Sequence, residues 1–127
     1  MAGTIVSDTI QDGAGNSTAT TTVINGSAKA WVRFTGSTGA IAGSYNVSSI
    51  TRTGAGQWTV NFTNAMANAN YSVVGGNSGA GGYGYVMMNQ TASSEVAPST
   101  TNFKMTVINS SASAFVDSAY TSAVVFD

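Results

Sequence analysis

Asp8, Asp12, Glu95, Asp117 and Asp127 are the five acidic residues of a 127-residue chain that contains no histidine and no cysteine. Nucleophilic catalysis through a Ser-His or Cys-His pair therefore has no base to work with. Zinc sites built on His and Cys are excluded too. A glycosidase needs two carboxyl groups about 5 to 9.5 Å apart across a cleft. Glu95 and Asp117 are the only such pair inside the expected globular part, apart from the C-terminal residue. Two acids in so short a complement more often serve as solvated loop residues. Asp12 lacks the repeated oxygen ligands of a calcium loop. Gly79-Ala80-Gly81-Gly82-Tyr83-Gly84 spells G-x-G-x-x-G. A dinucleotide site would need a strand before it, a helix after it and an acid about 20 positions on. A strand pattern follows instead and no acid stands there, so the match is fortuitous. No catalytic residue, cofactor or metal is expected.

Recognition chemistry has more to draw on. Trp31, Tyr83, Tyr85 and Tyr120 could stack on sugars of a host surface, with the glycine-rich tip Gly75–Gly84 shaping the contact. Packing in the core or between subunits is the competing use, and it weighs heavier because aromatics are enriched at interfaces. Trp31 sits between Lys29 and Arg33, either of which could lie over its ring against a neighbouring chain. Cover of the indole by the chain's own N-terminal segment is an equal alternative. Trp31, Arg33, Tyr83, Tyr85 and Tyr120 are the candidate receptor or subunit contacts.

Asn-x-Ser/Thr occurs at Asn16, Asn25, Asn46, Asn61, Asn70, Asn89 and Asn109. A chain this rich in Asn, Ser and Thr meets that pattern by chance, and Asn61 falls inside an expected strand, a poor place for a glycan. Only 7% of residues are charged, against roughly 25% in ordinary soluble proteins. Ser, Thr, Asn and Gly carry the polar share, a surface suited to packing against copies of itself. Lys29, Arg33, Arg52 and Lys104 form no cluster and the net charge is −1, so a nucleic-acid footprint is missing. No apolar run approaches the ~20 residues of a membrane-spanning helix, and the N-terminus has no secretory pattern.

The positioning elements read as strands. The centre of the pattern is Ser44 to Tyr71, two strands joined by a tight turn at Thr53-Gly54-Ala55-Gly56. Trp58, Val60 and Phe62 share one face of the second strand; Gln57, Thr59 and Asn61 share the other. Tyr45, Val47 and Ser49 alternate along the first. Ala28, Ala30, Val32 and Phe34 oppose Lys29, Trp31 and Arg33 in the same way. Gly36 to Gly43 reads as a loop, and Thr63 to Asn70 as a short helical turn. Strands are expected from Tyr71, over Tyr83–Met88, over Phe103–Ile108, at Ala114–Asp117 and at Ser122–Phe126, with Thr91–Thr101 a loop. Residues 1–27 have short extended candidates at Thr4–Val6 and Thr9-Ile10 and a threonine-rich stretch, Ser17–Val23, that could extend. They read as an arm ordered by a partner surface. The expected fold is all-β: a compact antiparallel β-sandwich over residues 28–127 with an extended N-terminal arm over 1–27.

Four blocks, Lys29-Ala30-Trp31-Val32-x-Phe34, Ser44–Thr51, Trp58–Thr63 and Asn68–Tyr71, resemble a module of bacteriophage tail fibres and related fibre-like virion surface proteins. The preceding Asp8–Thr18 and Asn25–Ala28 fit its usual lead-in. The resemblance covers roughly residues 8–76, and the rest matches only in style. Arg33 stands where the module often has Asn, Ala42-Gly43 where it often has Arg, and Ala67-Asn68 where Pro-Asp is common. Such modules usually end a longer chain, whereas this one starts at a methionine and is nearly all module. That points to a small free-standing virion component or a shortened piece of one.

The resemblance implies a non-enzymatic structural or adhesive role on the virion surface, commonly as a homotrimer. The first expectation is a tail fibre or fibre tip that contacts other virion proteins and a host cell-surface glycan or protein. A capsid decoration protein or head fibre is the alternative, and a polysaccharide-degrading enzyme is a remote third. Synthesis would occur in the bacterial host cytoplasm. Neither nucleic-acid binding nor membrane insertion is expected.

Overall fold

The alternation along Gln57–Phe62 decides where the core lies. Trp58, Val60 and Phe62 are buried together with Phe103, Met105 and Val107, and they face Ala30, Val32, Phe34, Ala123 and Val125 across the interior. The computed structural model describes residues 3–78 and 84–127. Its elements are β1 (Thr9–Gln11), β2 (Ser17–Ala19), α1 (Thr20–Gly26), β3 (Ala30–Thr35), β4 (Ala40–Tyr45), β5 (Val47–Gly54), β6 (Gln57–Phe62), β7 (Ser72–Asn77), β8 (Tyr85–Met88), β9 (Asn102–Ile108) and β10 (Thr121–Phe126). Two four-stranded antiparallel sheets, β4-β3-β10-β7 and β5-β6-β9-β8, pack face to face, and β1 and β2 pair by themselves. The chain is therefore all-β and sandwich-like, with one short helix. Sheets packed face to face interdigitate their inner side chains into one core.

Aromatic edges fill the centre. Trp58 meets Phe34 edge-on at a centroid distance of 5.4 Å, and Phe62 meets Tyr71 the same way at 5.6 Å. The Trp58 Nε1 donates to the Gly36 carbonyl at 2.9 Å, which satisfies the one polar atom of a buried indole. The Tyr71 hydroxyl lies 2.8 Å from the Ser99 carbonyl and 3.1 Å from that of Asn102, so it pins the long loop before β9. Burial pushes its pKa up to about 12.

Several local expectations give way. Gly36–Gly43 is not all loop: Ala40–Tyr45 pairs with β3 as an edge strand. Its small residues carry no alternation, and a bulge at Arg33/Phe34 absorbs the irregular register. Tyr45 and Val47 do not share a face. Asn46 between them takes a φ of 53°, and the chain there leaves one sheet for the other. Asn tolerates that region because its short amide finds local partners. Here its Oδ1 accepts from the Asn64 amide at 2.8 Å, and its Nδ2 donates to the carbonyls of Lys29 and Asn64. Thr63–Asn70 forms bends instead of a helical turn: Asn64 and Asn68 bond across to Asn46 and Asp127, and the Asn68 Oδ1 accepts locally from the Asn70 amide. Ala114–Asp117 keeps only an isolated bridge, Phe115 to Ile108. In the arm, Thr9–Gln11 extends as the sequence suggests, but of the Ser17–Val23 stretch only Ser17–Ala19 does, and Thr20–Gly26 is helical. Thr18 pairs with Ile10 of β1, while Thr20, Thr21 and Thr22 lie in the helix.

Candidate functional site

The outer face of the β4-β3-β10-β7 sheet collects most of the residues singled out in the sequence. Direct cross-strand partners share a side of the sheet, so the register defines rows across it. One row runs Tyr45, Trp31, Val124, Val74. It is a ridge of apolar side chains on a solvent-facing surface, with Trp31 42% exposed. The next row runs Gly43, Arg33, Ser122, Gly76. Glycine at both edges and serine beside Arg33 make this row a trough below the ridge. A Cβ on Gly43 would sit 3.4 Å from the Trp31 ring, so the indole leans over that end and closes it. The other end opens into a pocket of about 300 Å³ that includes Arg33, Gly76, Ser78, Tyr120 and Ser122.

Arg33 does not lie over Trp31. Its guanidinium carbon sits 4.6 Å from the centroid of the Tyr120 ring. Lys29 does not cover Trp31 either, because its ammonium donates to the Ile24 carbonyl and the Ser27 hydroxyl. That contact satisfies an orphan carbonyl at the end of α1. The backbone of Tyr120 is held by a polar hub. The Tyr120 amide donates to the Ser78 hydroxyl at 3.0 Å, and the Ser78 amide donates to the Tyr120 carbonyl at 2.8 Å. The buried Ser118 hydroxyl lies 2.5 Å from the Ser78 carbonyl and 2.9 Å from that of Tyr120.

Trp31, Arg33 and Tyr120 are thus brought to one face. Tyr85 is not: it stands opposite Ile108 on β8, in the other sheet, and is 61% exposed. Tyr83 lies outside the described residues. Gly76 was marked only as part of the glycine-rich tip Gly75–Gly84, whereas it lies inside β7; Ser122 and the ridge residues Tyr45, Val74 and Val124 were not singled out as contacts in the sequence. No local pattern marks them; they gain meaning only from the register of strands far apart in the chain.

No family model matches the chain, and neither does any curated protein or solved structure. The chemistry of the face is therefore read from its own groups. Among the described residues, no three of His, Cys, Asp and Glu gather where they could hold a metal ion.

Asp117, half of the one carboxylate pair considered for glycoside hydrolysis, is held in the structure. The Arg52 Nη2 and Nε donate to its two oxygens at 2.6 and 3.2 Å, and the Gly56 amide donates to Oδ1 at 2.9 Å. Partial burial pushes this carboxyl up, but the Arg52 and Gly56 hydrogen bonds and the Arg52 charge outweigh it and hold its pKa below the ordinary value. Glu95 takes part in a local bridge with Gln90 in a different loop. Because the folded pKa of Asp117 is depressed, its contribution is complete above the unfolded carboxylate pKa of about 4 and is lost as pH falls through the lower folded value. Asp117→Asn is expected to melt a few degrees below the parent at neutral pH. The gap should close in acid, as followed by circular dichroism against pH. A gap independent of pH would show that the carboxylate charge is not what stabilises this contact.

Proposed function

We propose that this chain is a non-enzymatic, self-associating surface module of a bacteriophage fibre. It stands as a homotrimer, with the arm joining subunits and the sandwich facing outward. The arm is the observation that carries this reading. Between residues 3 and 27 no side chain is buried, although Ile5, Val6, Ile10, Val23 and Ile24 are apolar. Its parts are a hairpin of three-residue strands and a seven-residue helix without a side-chain N-cap bond. Neither holds together alone in water: isolated helices shorter than about 12–15 residues are marginal, and so are lone hairpins. A partner must cover the apolar side chains. Other copies of the chain are the natural partner for a surface this poor in charge. The four sequence blocks that resemble fibre modules supply the virion setting.

Light scattering on the full chain at micromolar concentration tests the assembly. A trimer is expected, and Ile10→Asp with Ile24→Asp should return monomers whose tryptophan fluorescence is unchanged. A parent chain that is already monomeric would overturn the self-assembly. Antibody labelling of intact particles in the electron microscope tests the location. Label at the tail supports the fibre, label spread over the head makes this a capsid decoration protein, and unlabelled particles remove the virion reading.

A further inference from the structure

The pocket under Tyr120 holds a cation, Arg33, whose side chain has no hydrogen-bond or ion-pair partner among the described residues. Arg52 is paired with Asp117, Lys104 donates to the Thr59 hydroxyl at 2.6 Å, and Lys29 is bonded within its own segment. Among the described residues the Arg33 side chain makes neither a hydrogen bond nor an ion pair. Its guanidinium carbon lies over the Tyr120 ring. A cation over an aromatic ring uses none of its N–H groups in hydrogen bonds, so the Arg33 donors remain available to a ligand. The stack also removes rotamer freedom from the side chain in advance, since the Ser78 and Ser118 hub fixes the tyrosine backbone. The result is a planar fork at the mouth of a pocket whose lining is mostly apolar, with a few polar groups set into it.

We infer that this pocket binds the carboxylate-bearing ring of an acidic polysaccharide, such as a uronate. A single positive charge matches a single carboxylate, and the fork accepts it in two parallel hydrogen bonds. At about 300 Å³ the cavity is at the small end of ligand sites, with room for one ring. Asn77, Ser78, Tyr120, Thr121, Ser122 and Gly76 form the rest of the lining, so a sugar ring would meet a mostly apolar wall with the Ser78 and Ser122 hydroxyls, each bonded to the backbone, available for one further hydrogen bond. A Cβ at Gly76 would come within 3.3 Å of the Ser122 Oγ, so any larger residue would narrow the floor. The trough continues past Arg33 toward Trp31, whose exposed indole is placed to stack on a neighbouring sugar. An inorganic anion would use the fork but none of these groups. The proposal rests on the fibre reading for the surface on which such a polymer is met; the binding itself does not depend on it.

The test is an NMR titration of the full-length protein with trigalacturonate, maltotriose and sodium sulfate in parallel, with light scattering on the same samples. Trigalacturonate should shift the Arg33 Nε–H and Tyr120 resonances and bind at least about tenfold more tightly than maltotriose. Arg33→Gln should lose about tenfold in affinity, and Arg33→Lys, which keeps the charge without the planar fork, should lose most of that. Gly76→Val should weaken binding with Arg33 intact. Equal binding of maltotriose, unchanged affinity in Arg33→Gln, or no shift at millimolar trigalacturonate overturns the site. Displacement by sulfate at concentrations matching trigalacturonate overturns the sugar assignment and leaves a simple anion site. A trimer that binds no trigalacturonate removes this inference alone, whereas a monomer that binds it removes the fibre assembly alone.

Discussion

Trp58→Ala is expected to remove about 3–5 kcal/mol of folding stability, measured by urea denaturation followed by circular dichroism. The indole is 1% exposed and lies at the junction of the two sheets, edge-on to Phe34. Alanine there opens a cavity that a close-packed neighbourhood refills only in part. It also strands the Gly36 carbonyl, which accepts from Nε1 in the intact protein. That carbonyl has no easy alternative, because the Gly36 turn is itself fixed: its amide donates to the Ser118 carbonyl at 2.9 Å. Trp58→Phe separates the two effects. It keeps most of the apolar volume and loses the hydrogen bond, so a smaller cost of about 1–3 kcal/mol is expected. Trp31→Ala is the control, since an exposed indole on the outer ridge should change stability little. With only about 5–15 kcal/mol holding a typical domain, the alanine change at Trp58 should leave the chain marginal at body temperature. A loss below about 1 kcal/mol would mean that the packing around this residue is not what closes the sandwich.

Trp58 also shows what was legible in advance. Its alternation with Thr59, Val60, Asn61 and Phe62 marks a strand with one buried face, and the same period runs through Ala30–Phe34 and Phe103–Val107. Those three strands supply most of the core, so the fold class could be read from their spacing. β4 could not, because Ala40, Ala42 and Gly43 have no hydrophobic period and the strand exists through pairing with β3. The break at Asn46 was hidden for a related reason. A positive φ leaves no trace in polarity, and Tyr45 and Val47 keep the spacing of one strand while belonging to two sheets.

The candidate site follows the same division. Trp31, Arg33 and Tyr120 were legible as residue types that serve recognition. Their arrangement was not, because Arg33 meets Tyr120 through the pairing of β3 with β10, which lie at opposite ends of the globular chain. Sequence proximity favoured Trp31 as the partner of Arg33. On a strand, however, side chains two positions apart stand side by side along one face, and the longer guanidinium reached the ring beyond the strand end. Glycines at positions 43 and 76 carry no chemistry of their own; they become a trough only when the register sets them on either side of Arg33 and Ser122.

Gly56→Ala should be the most damaging single methyl that can be added near the Trp58 turn, with an expected loss above about 3 kcal/mol. Two independent costs add at this position. The residue holds a φ of 61°, a region that costs an L side chain roughly 1–2 kcal/mol. A Cβ there would also lie 2.5 Å from both the Val107 carbonyl oxygen and the Val116 amide nitrogen, and backbone cannot rotate out of the way as a side chain can. The same residue anchors three segments. Its carbonyl accepts from the Val107 amide at 2.8 Å, its amide donates to Asp117, and its turn joins β5 to β6. Gly54, two positions earlier, is the comparison. A Cβ at Gly54 would meet chiefly the Gln57 side-chain amide, the far end of a flexible chain, and no positive φ is needed there. Gly54→Ala should therefore cost under about 1 kcal/mol. Paired urea melts of the two variants decide the matter. Similar midpoints would mean that the β5–β6 turn relaxes around an added methyl and that close backbone approach at Gly56 does not hold β6, β9 and the Asp117 segment together.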